Sequence, residues 1–399
     1  MVKLYDKYLK VRINTDYAYI RADCLDRLRK SDAIIFDCDG VLIDVRESYI
    51  KATVETVKYF VNELMGTVIS SDNGLRKIIY LFKRSGGFNN DWDIAYSILL
   101  FIFSRFPRML QEKFVALVNS GKVNDMFDIF YYVKNGHVRT LSLESIWPKI
   151  ERGLVKFVEK VDPSGIISVE RELNVHSDLK RTTNQTYAAV KQFLNYPGNV
   201  GESLLTTVFE EIFCGPQLFE KVYGVKSRFY DGRGFIEKEK IILAPQSLDE
   251  IATRFGENNL GMATGRDYLL VKYTLGETLD RFNPKASIFL ENVEEYERKA
   301  MDMGDRVNLK KPHPFSLLKA AEGLNSFQYA IYVGDSMEDI LMVKRANEIR
   351  PHFISVGVYA SSDFREELIL DFLRAETDVI LPSVNELPYL IRKVQEENL

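Results

Sequence analysis

The run Ala33-Ile34-Ile35-Phe36 is apolar without alternation and stops on Asp37-Cys38-Asp39-Gly40. A strand with no polar side is buried on both faces, as happens in parallel sheets covered by helices. The carboxyl ends of such strands border the crevice where ligands bind. Two carboxylates placed there repel one another unless a cation lies between them. Taken alone, the same residues also describe a solvated acidic turn after a strand.

The pattern recurs further along the chain. Leu260-Gly261-Met262-Ala263 leads into Thr264-Gly265-Arg266, where a hydroxyl and exposed backbone N–H groups can cradle a phosphate. Lys310-Lys311-Pro312-His313-Pro314 precedes the amphipathic Phe315–Ala321, placing an ammonium near a helix entrance. Tyr329-Ala330-Ile331-Tyr332-Val333 ends on Gly334-Asp335, with Asp339 four residues later, close enough to share one side of a first helical turn. Each segment has a bland alternative: a glycine turn, a surface basic pair, acids favoured by a helix dipole. Their order is harder to obtain by chance.

In that order the segments resemble the haloacid dehalogenase (HAD) superfamily of hydrolases. Asp37 to Asp44 is similar to its first motif, Thr264 to the second, Lys311 to the third, and Gly334-Asp335 through Asp339 to the fourth. The resemblance covers residues 31–45 and 256–399. More loosely, Gly86 to Trp92 and Asp44 to Tyr49 resemble a phosphoglycolate-phosphatase-like branch with a helical cap inserted after the first motif.

The resemblance implies a Mg²⁺-dependent phosphatase acting on a small-molecule phosphate monoester through an aspartyl-phosphate. In that reading Asp37 is the nucleophile and Asp39 the general acid, then base. Thr264, Gly265 and Lys311 bind the phosphoryl oxygens. Asp37, the Asp39 carbonyl and Asp335 hold the metal, while Asp339 and Gly334 support the site. An acid at position 39 favours phosphate monoesters over carbon–halogen bonds. A phosphomutase, or a non-catalytic binding protein on the same fold, is the alternative. Cys38 reads as a small buried filler and His313 as a loop residue. Arg266 either contacts substrate or braces its loop.

The chain has 399 residues, 46% hydrophobic and 28% charged, enough for two domains and a large core. A net charge of −4 and a pI near 5.8 give no electrostatic case for nucleic acid. Cys24, Cys38 and Cys214 form no metal or disulfide pattern, which suits a reducing cytosol. Met1 to Lys7 has no signal-peptide core, and Ile94 to Phe103 is too short to span a bilayer. A cytoplasmic protein is therefore expected, with a phosphorylated small molecule as partner, no nucleic acid and no membrane.

The fold expected is α/β: a doubly wound, Rossmann-like parallel sheet with a large, mainly helical cap domain inserted after the first strand. Residues 1–30 form an N-terminal extension whose helix covers Ala18 to Arg29. Residues 31–45 and 256–399 form the core, and 46–255 the insert. An excursion that long must fold by itself. Its helices are read at 47–65, 75–82, 92–103, 109–118, 126–133, 146–158, 202–213 and 217–223. A polar stretch, Ser177–Gln185, interrupts them, and 107–197 reads as an elaboration or a flexible piece. Specificity is assigned to the insert. The Ser85–Asp93 loop, with Asn90 and Trp92, is the first candidate; its alternative is a turn whose Asp91 caps a helix. Arg233, in Phe229–Gly234, is the second.

Overall fold

The computed structural model describes residues 7–13, 16–65, 69, 72–88, 90–120, 126–135, 147–175 and 180–396. They divide into two compact units, one built from 1–46 and 239–399 and the other from 47–238.

The first unit is α/β. Its strands are β1 (Tyr8–Ile13), β2 (Asp16–Arg21), β3 (Ser31–Phe36), β4 (Ile43–Asp44), β5 (Lys240–Ile241), β6 (Leu260–Ala263), β7 (Ser287–Ile288), β8 (Tyr329–Gly334), β9 (Phe353–Val358) and β10 (Val379–Leu381). Eight of them form one sheet in the order β1-β2-β10-β9-β8-β3-β6-β7, while β4 and β5 pair separately. From β10 to β7 every pairing is parallel, and β1 and β2 join antiparallel at one edge.

The apolar run that suggested β3 is central, with Ala33 to Phe36 all fully buried. Ala33 and Ile35 pack with Ala263, Ala330 and Tyr332 against the Phe315–Gly323 and Met337–Ile349 helices. Burying a side chain the size of Ile35 contributes about 1.5–3 kcal/mol, and each alanine correspondingly less. Phe36 meets the edge of Phe282 at 5.7 Å. The Leu387–Glu396 helix touches both Leu25–Arg29 and Pro245–Phe255, which in turn touch β8 and β3 respectively. Pro245–Phe255, expected with the insert, thus belongs to the first unit.

The N-terminal segment differs from expectation. Asp16–Arg21 is a strand, and the helix is confined to Leu25–Arg29 after a short 3₁₀ turn. Tyr17, Tyr19 and Ile20 favour strand, and β2 has partners on both sides, β1 and β10. Those pairings outweigh the helical spacing of Ile20, Cys24 and Leu28. Leu290–Asp302 is a helix that the sequence reading passed over.

The second unit is helical: Tyr49–Met65, Asp72–Arg84, Asp91–Ser104, Arg108–Val118, Met126–Asn135, Trp147–Val158, Ile166–Val175, Lys180–Leu194, Leu204–Cys214 and Pro216–Tyr223. Ile94 to Phe103 are all buried in it, so this apolar stretch is a core helix. Among the described residues no helix is long and apolar enough to cross a membrane. Rings of Phe60, Phe114, Phe130 and Phe193 meet at 5.5–6.4 Å. Lys180–Leu194 runs through most of the stretch read as an interruption. It touches Arg108–Val118, where Thr186 Oγ1 donates to Gln111 Oε1 at 3.0 Å. The described parts of 107–197 are therefore packed helices, while Ser177 to Leu179 lie outside the described residues.

Candidate active site

Register brings the first unit's acids together. Phe36 lies opposite Met262 on one side and Val333 on the other. Asp37, Thr264 and Asp335 therefore leave three adjacent parallel strands at the same end. The Asp37 N–H donates to the Val333 carbonyl at 2.8 Å, continuing the ladder one residue beyond β3. Gly40 then turns the chain with φ +73°, and a methyl there would meet Asp335 Oδ2 at 1.8 Å. Only glycine lets the Asp37–Asp44 segment lie this close to that carboxylate.

Lys311 joins the acids. Its Nζ lies 2.8 Å from Asp37 Oδ1 and 2.8 Å from Asp339 Oδ1, and it donates to the Tyr332 hydroxyl at 2.8 Å. Tyr332 in turn donates to Asp339 Oδ1 at 2.9 Å. The other Asp339 oxygen accepts from the Ser336 N–H and hydroxyl at 3.1 and 2.7 Å. This is a capping box at the start of Met337–Ile349, with Ser336 as N-cap. Asp339 is thus held from four donors. Gly334 makes room for it, since a methyl there would sit 2.3 Å from Asp339 Cβ. Pro312 is not in the following helix, which begins at Phe315 with Pro314 at its N-cap.

Burial shapes the electrostatics. It pushes the Asp37 carboxyl well above the ordinary carboxylate range, reinforced by Asp339 and opposed by Lys311. Burial alone would raise Asp339 too, but the Lys311 ammonium and the Ser336 and Tyr332 hydrogen bonds hold it below its usual value. Burial alone would lower Lys311, and the two carboxylates outweigh it, keeping the ammonium charged. Burial raises the Cys38 thiol well above its ordinary value, in keeping with an inert filler. His313 Nδ1 accepts the Phe315 N–H at 3.2 Å, a loop role.

Oxygens of Asp37, Asp335 and Asp339 all lie within 4.8 Å of one another, an all-carboxylate set suited to a hard divalent cation. Asp39 lies outside that group, and its side chain pairs with Arg266 at 3.0 Å. Arg266 is almost fully buried and reaches Glu239 at 2.7 Å, so the geometry supports bracing rather than substrate contact. Thr264 is buried at the end of β6, and Gly265 beside it is exposed, leaving its backbone open to an anion.

In the second unit, Asn90 rather than Asp91 caps the Asp91–Ser104 helix, accepting the Trp92 N–H at 2.9 Å. Trp92 Nε1 donates to Glu210 at 2.9 Å. Gly87 packs on the backbone of Pro163 and Gly165. Asn89 lies outside the described residues. Arg233 is exposed beside the 227–230 turn, which Glu211 organises by accepting the N–H groups of Arg228, Phe229 and Tyr230 at 2.6–2.9 Å.

Sequence reasoning passed over Tyr332, Ser336 and Glu239. The first two carried a signal: a tyrosine inside an otherwise aliphatic strand, and a serine three residues before an acid at a helix start. Glu239 had none, because it stands in the charged run Glu237-Lys238-Glu239-Lys240.

No protein-family model matches the chain, and no curated protein matches it in sequence. Among solved structures, the chain is similar to a crystal structure described as a Northeast Structural Genomics Consortium target. The TM-score is 0.59 at 19% identity, covering 92% of this chain and 99% of the other. At that identity the likeness is one of fold.

Proposed function

We propose that the protein is a phosphatase of the HAD type, with a Rossmann-like core and an inserted helical cap, hydrolysing a small-molecule phosphate monoester. The observation that carries this reading is the junction of Asp37, Asp335, Lys311 and Asp339 at the ends of adjacent parallel strands. Asp37 and Asp335 would hold a divalent cation, for which we propose Mg²⁺. Bound there, it would supply positive charge that favours the ionised Asp37 and offsets charge on the phosphate.

The remaining chemistry belongs to the chain. An Asp37 oxygen forms a bond to phosphorus as the ester P–O bond breaks, and the leaving oxygen takes a proton from Asp39. Asp39 then takes a proton from water as the aspartyl-phosphate is hydrolysed. Two steps replace one harder displacement. Lys311, fixed by Asp339 and Tyr332, fronts the phosphoryl oxygens, with the Thr264 hydroxyl and Gly265 N–H. Preorganised donors of this kind contribute about 3–4 kcal/mol each. Asp339, saturated by its four donors, orients Lys311. All these residues are committed to phosphate, cation and proton, so recognition of the leaving group is assigned to the insert.

The test is phosphate release from a panel of phosphorylated metabolites with Mg²⁺ and with EDTA. The reading expects release from at least one ester, lost in chelator. Full activity in EDTA, or no release from any ester, overturns it.

A further inference from the structure

The buried Arg266 has no place in the chemistry above, and neither does Glu239. Arg266 Nη1 lies 3.0 Å from Asp39 Oδ1, and Nη2 lies 2.7 Å from Glu239 Oε2. Glu239 also accepts from the Thr274 hydroxyl at 2.5 Å. The side chains of Arg266 and Glu239 are 0% and 1% exposed, and that of Asp39 is 31% exposed. The row runs inward from a carboxylate open to solvent, through a guanidinium, to a sealed carboxylate.

Charges buried this way do not earn their place by stability, since apolar side chains of similar volume commonly serve a core as well. What a guanidinium offers is a rigid fork that fixes a carboxylate in direction as well as distance. The backbone around the row is also tied down. Arg266 N–H donates to Thr264 Oγ1 at 3.3 Å, and Arg266 carbonyl accepts the Leu290 N–H at 3.1 Å. Asp39 bridges to Ile43, where β4 begins, and β4 pairs with β5, which starts one residue after Glu239. Arg266 thus clamps the outgoing and returning arms of the chain, which leave the first unit after Arg46 and rejoin it at Glu239.

We propose that Arg266, itself oriented by Glu239, is a positioning residue that aims the Asp39 carboxyl at the leaving-group oxygen. The proposal rests on the assignment of Asp39 as proton donor in the phosphatase reading. In the step concerned, the Asp37–phosphorus bond forms, the ester P–O bond breaks, and the proton on Asp39 passes to the departing oxygen. Arg266 and Glu239 exchange no atoms.

The test compares phenyl phosphate with para-nitrophenyl phosphate, which are close in shape but differ in their need for a proton. kcat/KM is the quantity to read, because it reports steps up to leaving-group departure and not the later hydrolysis. In Arg266→Met the ratio of kcat/KM for the nitrophenyl ester to that for the phenyl ester should rise about 100-fold, the scale of a general acid's contribution. Arg266→Lys should restore part of it, and Glu239→Gln, a gentler change, should give an intermediate rise. A ratio unchanged in folded Arg266→Lys and Glu239→Gln overturns the positioning role while leaving the phosphatase reading intact. Asp37→Asn, run beside them, reports on that reading separately: wild-type turnover that survives Asp37→Asn removes it, and this inference with it.

Discussion

Asp37 and Lys311 illustrate how much of the site one residue can carry. The folded protein holds Asp37 above the ordinary carboxylate range through burial. A raised carboxyl contributes stability fully only below its unfolded pKa, and that contribution is lost as pH rises through the folded value. In chelator, Asp37→Asn should therefore match the wild type near pH 4 and become relatively more stable toward neutral pH. Thermal melts across pH will show it, at about 2–4 °C per kcal/mol; a variant less stable than wild type at neutral pH contradicts the account. Lys311→Met leaves Asp37 and Asp339 buried without their cation. It should cost about 3–5 kcal/mol, the scale for breaking a buried pair, measured by denaturant unfolding, and should abolish phosphate release. Wild-type stability in that variant would contradict the network. Asp37 and Asp339 were legible because one follows an apolar run and the other opens a helix; Lys311 was legible by its place before Pro312 in the order of the motifs. Glu239 was not, because a buried glutamate and a solvated one look alike inside a charged run.

Elements were legible where period and composition agreed. The strand Leu260–Ala263 has the bounds of its apolar run. Asp16–Arg21 was misread because its state is set by neighbours distant in sequence, Val379 and Ile380 among them. Lys180–Leu194 was passed over because its polar start hides the apolar positions Ala189, Val190, Phe193 and Leu194, all buried. In the Ser85–Asp93 loop, amides, acids and a ring suggest recognition; in the structure Asn90 also caps its helix, and the Trp92 indole donates to the buried Glu210. Asn90→Ala should cost about 1 kcal/mol, as N-cap losses do, seen in the unfolding midpoint. No change in stability would mean that the amide is not the cap.

At the scale of the whole molecule, the order of motifs along the chain carried more than any one of them. An apolar strand ending in acids predicts a parallel sheet; three further strand ends and helix starts, separated by a long excursion, predict that the sheet is interrupted by an independent fold. Two units result, with the passage between them at 46 and 239 rather than 255. The return lies before the expected boundary at 255: Pro245–Phe255 belongs to the first unit, where it touches β3 and the Leu387–Glu396 helix.

The central claim is that Asp37 is a nucleophile that carries the phosphoryl group. It is tested most directly by acid-quenching the protein during turnover of a phosphate-labelled ester and mapping the label by peptide. The account predicts label on the peptide containing Asp37, absent in Asp37→Asn, which should also release no phosphate. Label on a different residue, or turnover that persists in Asp37→Asn, would contradict it.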